Sequence, residues 1–97
     1  MNFDFAGILE QAATKQKMGD LNGAKKDFLH ILAKDPGNIL ANFNLALLLS
    51  HMKRHEEATT HFEVALRHQP NDGRYWVCLI ENLLQLERYN DARTVLR

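Results

Sequence analysis

The sequence predicts an all-α fold, a stack of antiparallel helix pairs with about six helices in 97 residues. Three observations predict it. The only two prolines, Pro36 and Pro70, lie 34 residues apart. Ala24, Ala58 and Ala92 keep the same step, as do Phe28 and Phe62, with Leu96 in the third register. Between sparse glycines, long segments of helix formers carry apolar residues at three- and four-residue steps. A small residue, a large apolar residue and a proline held in one register mark a repeated supersecondary unit.

Taken in order, the spacing predicts helices over 4–18, 21–34, 39–52, 55–68, 73–86 and 89–96. The first is the least regular. Gly19-Asp20 ends it and supplies a cap for the second. Pro36 and Pro70 fall just past the ends of the second and fourth helices, which proline cannot extend. Asn38 and Asp72 follow as N-caps of the third and fifth. No strand alternation of useful length occurs. Ala24, Ala58 and Ala92 sit on the second helix of each pair, where a methyl group lets the first helix approach. Phe28 and Phe62, one turn on, fill the space beside it. Each pair buries only part of its apolar surface, so stability accumulates between neighbours.

Bulk properties narrow the function. Lys+Arg and Asp+Glu are 12 each, a balance that argues against nucleic-acid binding. The one cysteine, Cys78, cannot form an internal disulfide and fits a reducing compartment. The N-terminus lacks a basic region ahead of an apolar run, and no apolar stretch approaches the ~20 residues of a membrane span. The expectation is a cytoplasmic protein without membrane partners.

The motifs A-x3-F with a following proline, Ala24/Phe28/Pro36 and Ala58/Phe62/Pro70, resemble the tetratricopeptide repeat family. Trp76, Leu79 and Leu83 resemble the first half of its pattern. In the middle repeat Leu45, Ala46 and Leu49 do so, with Asn42 in place of the tryptophan. The first repeat, with Ile8, Gln11, Ala12 and Lys15, matches poorly. The resemblance covers residues 5–97 and implies repeats at 5–38, 39–72 and 73–97, the last incomplete, in a right-handed superhelical α-solenoid. The last helix has no polar cap after Leu96, so the expectation is either a cover for that end or a longer protein.

The resemblance also implies a concave groove lined by the first helix of each pair. Leu9, Phe43 and Val77, related by the 34-residue step, would form an apolar row there. Leu40, Phe43 and Leu47 form one stripe on a single helix, distinct from the Leu45/Leu49 side that packs within the pair. Asn44, Arg74 and Glu81 would border the row as polar fixers. The other reading of these residues is packing against neighbouring helices or a second copy of the chain. Members that clamp chaperone tails use a Lys/Asn/Asn/Lys/Arg set, but Leu9, Ala13, Asn44, Arg74 and Cys78 hold those places here, which implies no clamp. An asparagine ladder, as in the repeats preceding O-linked N-acetylglucosamine transferases, is not carried through either, because Glu10 and Cys78 flank Asn44 in register.

No catalytic constellation, phosphate loop or zinc spacing is present. His51 and His55 straddle a turn without a third ligand, and Cys78 reads as a packed thiol. No catalytic residue, metal or cofactor is therefore assigned. Lys25-Lys26-Asp27 reads as an outward helix face. The function expected is a protein-interaction scaffold, itself not an enzyme, that binds a peptide or helix of a partner and has two surfaces for homo-oligomers, the groove and the uncapped last helix. The alternative is the N-terminal segment of a larger enzyme, such as a bacterial O-linked N-acetylglucosamine-type glycosyltransferase or a methyltransferase.

Overall fold

The computed structural model describes residues 4–86, which form five α-helices and no strand: α1 Phe5–Lys17, α2 Leu21–Lys34, α3 Ile39–His51, α4 His55–His68 and α5 Gly73–Gln85. Each lies within a residue of its expected bounds. The sixth expected helix, 89–96, with Ala92 and Leu96, lies outside the described residues. α1 packs on α2 and α3 on α4, while α2–α3 and α4–α5 contacts join one pair to the next. The result is the predicted stack. No helix among the described residues is long and apolar enough to cross a membrane.

Local chemistry explains the helix ends. Asp4, Asp20, Asn38 and Asp72 each accept a hydrogen bond from a first-turn amide, satisfying a donor the helix leaves open. Arg54, at the start of α4, makes no such side-chain bond. Glu56 and Glu57 complement the helix dipole there instead, and Arg54 pairs with Glu57 at 2.6 Å.

The turns within the pairs share one backbone design. After α1, the Asp20 amide donates to the Lys15 carbonyl at 2.8 Å, and the Gly19 amide donates to Gln16. After α3, the Arg54 amide donates to Leu49 at 2.8 Å, and the Lys53 amide donates to Ser50. Both turns need a left-handed residue, and they have it at Gly19 (φ 82°) and Lys53 (φ 64°), again 34 apart. Glycine takes this conformation freely; lysine does so at a cost.

The core follows the repeat. Ala24, Phe28, Ala58 and Phe62 are buried, as are Leu45, Leu49, Leu79 and Leu83. α3 is closed in on several sides, burying Ala41, Asn42, Leu45, Ala46, Leu48 and Leu49, as its nearly all-round apolar sequence requires. One expectation needs correction. Asp27 does not belong to an outward face: it is half-buried and pairs with Lys15 of α1 at 2.9 Å, so a charged link ties the first pair together.

Candidate functional site

α3 and α5, the first helices of successive pairs, touch directly and share one face of the stack. That face keeps apolar side chains in solvent: Leu40 is 53% exposed, Leu47 39%, Val77 54% and Leu84 40%. Phe43 sits deeper. It stacks on Tyr75 with ring centroids 4.3 Å apart and lies tilted against Phe62 at 6.0 Å. Phe43 thus wedges between α3, α4 and α5 and carries the exposed leucines on a packed base. Leu9 is partly buried against the core, and Asn44 is half-buried. Arg74 is exposed but engaged, since its guanidinium donates to Asp72 at 3.1 and 2.8 Å. That contact holds the Asp72 carboxyl below the usual carboxylate range. Glu81 is exposed on the same helix.

At the far end of this face lies a cleft of about 490 Å³. Leu47, Phe62 and Cys78 supply its apolar lining, and Ser50, His55 and Asn82 a polar wall. Charged side chains reach it from two elements, Lys53 from the α3–α4 turn and Glu81 from α5. Of the residues expected from sequence, Leu47 and Glu81 line the cleft. Leu40, Phe43, Asn44, Arg74, Val77 and Leu9 do not. His51 and Gln85, which also line it, extend the 34-residue register, a signal available in the sequence.

The polar wall is a hydrogen-bonded network. Asn82, 1% exposed, donates from Nδ2 to the His55 carbonyl at 3.0 Å and to Thr59 Oγ1 at 2.7 Å. Its Oδ1 therefore faces His55 Nδ1 at 2.8 Å, and that nitrogen carries the hydrogen. Ser50 Oγ lies 3.2 Å from the same nitrogen. These bonds fasten α5 to the first turn of α4, the helix start without a side-chain cap.

A second buried pair lies within the second helix pair. Asn42, also 1% exposed, donates from Nδ2 to the Pro36 carbonyl at 3.0 Å and the Asn38 carbonyl at 2.9 Å. Its Oδ1 accepts from His61 Nδ1 at 2.9 Å. Trp76, 34 residues on, donates from Nε1 to the Pro70 carbonyl at 2.6 Å. Asparagine and tryptophan thus hold the same proline carbonyl in successive pairs. Sequence reasoning identified the substitution at Asn42 but not this shared bond.

Nucleophilic chemistry has little support here. Burial raises the Cys78 thiol pKa, with Glu81 and Asp72 adding to the effect, which disfavours the reactive thiolate. Among the described residues, no group of at least three His, Cys, Asp or Glu side chains is placed to hold a metal ion. The arrangement is suited to binding: an apolar strip, a cleft at one end, and two charges at its edge.

A profile described as tetratricopeptide repeat matches residues 16–77. Among solved structures, a point mutant of MamA superposes with a TM-score of 0.83 and 21% identity, over 95% of this chain and 67% of that one. MamA AMB-1 gives 0.84 and 20%, over 96% and 51%. The MamA RS-1 ArsTM double mutant gives 0.87 and 18%, over 95% and 52%. At these identities the likeness is one of fold. The chain spans roughly half of the last two proteins and two thirds of the first. No curated protein sequence matches it.

Proposed function

The chain belongs to the tetratricopeptide repeat family, and from that premise we propose that it is a scaffold holding a peptide or helix of a partner protein against the face shared by α3 and α5. The repeats are read as 5–38, 39–72 and 73–97. The observation that carries the proposal is the solvent-exposed strip of Leu40, Leu47, Val77 and Leu84 on helices whose other sides are packed. Scattered exposed leucines need no explanation, but a row set on a packed aromatic base has the form of a recognition surface. Phe43 underlies it through its packing on Tyr75 and Phe62, and Leu9 and Asn44 are read as further groove residues, with Arg74 and Glu81 as its border.

The structure decides which substitution tests this. Phe43→Glu would bury a charge beside Tyr75 and Phe62 and cost folding as well as binding. Val77→Glu changes an exposed side chain. It should leave helicity and thermal midpoint near wild type while weakening capture of a partner by about tenfold or more. Partners would be identified by affinity capture from the source cells and their Kd measured by calorimetry. Unchanged affinity in Val77→Glu and Leu40→Glu would remove the groove from the proposal.

A further inference from the structure

We propose that the cleft at the end of the groove selects the partner by charge pattern: it takes one large apolar side chain flanked by an acidic residue on one side and a basic residue on the other. This rests on the groove reading above and names the chemistry of its occupant.

Two opposite charges at the cleft are unpaired within the described residues. Arg74 is paired with Asp72 by two hydrogen bonds and does not line the cleft. Lys53 and Glu81 are exposed, line the cleft and make no ion pair with one another or with any other described residue. They project from different elements, the α3–α4 turn and α5. Between them Leu47, Phe62 and Cys78 offer apolar surface, in a cleft of about 490 Å³ with room for a large side chain and part of the segment that carries it. Below them, Asn82 is already satisfied by His55 and Thr59. An apolar occupant therefore leaves no buried donor or acceptor of Asn82 unmet.

Lys53 gives a second, independent indication. The equivalent turn of the first pair uses glycine at its left-handed position, and this one uses lysine with φ 64°. A residue held in a sparsely populated conformation beside a cleft points to a use for its side chain. Complementary charge at the edge of an interface sets selectivity and register more than raw affinity. A partner segment with one acid and one base around its apolar anchor satisfies both free charges. Two acids or two bases would leave one charge facing its like.

The test uses the full chain and synthetic 14-residue amphipathic peptides with a central Leu or Phe anchor. Three versions place one acid and one base, two acids or two bases around the anchor. Binding is read by fluorescence anisotropy and by amide chemical shifts of Leu40, Val77 and Glu81. Wild type should favour the mixed peptide by about three- to fivefold, as expected for surface charge pairs. Glu81→Lys should shift the preference to the two-acid peptide, and Lys53→Glu to the two-base peptide. Both positions are exposed, so both variants should fold. Peptides that shift Leu40 and Val77 with the same ranking in all three proteins would overturn the charge selection and leave the groove standing. Peptides that shift none of these residues would overturn both.

Discussion

The chain builds the same turn twice and fills it differently. After α1 the left-handed position is Gly19, and after α3 it is Lys53, yet the carbonyls of Lys15 and Leu49 accept equivalent amides at 2.8 Å. The starts of α3 and α5 repeat the lesson, since Asn42 and Trp76 both donate to the carbonyl of a proline. What recurs every 34 residues is therefore a backbone requirement, and the side chain meeting it is free to change. Where the second copy departs from expectation, at Asn42 and Lys53, the substituted residue takes on a further contact or borders the cleft.

The largest expected effect tests the Asn42 and Trp76 comparison. Asn42→Ala removes a donor shared by two carbonyls and an acceptor for His61, all beside the core. It should cost about 2–3 kcal/mol of unfolding free energy, the range for breaking a buried polar network. Trp76→Phe removes one bond whose acceptor, the Pro70 carbonyl, belongs to an exposed residue that water can serve. It should cost about 1 kcal/mol or less. Urea denaturation of the two variants checks the difference. Equal losses would mean that the shared proline bond dominates and the His61 contact adds nothing.

The same comparison explains what the sequence could disclose. Helix bounds, caps and the Ala/Phe core are periodic, so each copy vouches for the others. Spacing also put Leu40, Phe43 and Leu47 on one stripe of α3 and Val77 in register with Phe43, but it could not tell that Phe43 packs on Tyr75 and Phe62 while the others reach solvent. The Asn42–His61 and His55–Asn82 bonds were not. Each joins residues that have no like counterpart one repeat away, and their meeting depends on how two helices cross. Asp27 was misread as outward for a similar reason: its partner Lys15 belongs to α1, the helix with the weakest periodic signal.

A smaller effect separates the two turns. Lys53→Gly should stabilise the protein by about 0.5–1 kcal/mol through relief at the left-handed position, partly offset by the greater freedom of glycine when unfolded. Gly19→Lys should destabilise it by about 1 kcal/mol, the cost of a side chain at positive φ. Thermal unfolding of both variants decides the point. If Lys53→Gly is also the variant with weakened charge preference among bound peptides, stability has been given up at that turn for recognition.

The smallest effect concerns the histidine that Asn42 holds. Burial lowers the pKa of His61; Glu57 pulls it back upward and Lys25 lowers it again. An unfolded imidazole takes its proton near pH 6.5, whereas folded His61 takes it only at lower pH. Between those values the unfolded state binds more protons, so the His61 contribution to stability is lost as pH falls and stops changing once the folded ring is charged. The Asn42 bond survives protonation, because Nδ1 donates in the neutral and the charged ring alike, and burial lowers the pKa in spite of it. An NMR titration of the His61 ring should place its midpoint below 6.5, the value of an unperturbed imidazole. Lys25→Gln should move the midpoint up and Glu57→Gln should move it further down. A His61 midpoint at or above 6.5 would show that the carboxylate, rather than burial, governs this ring.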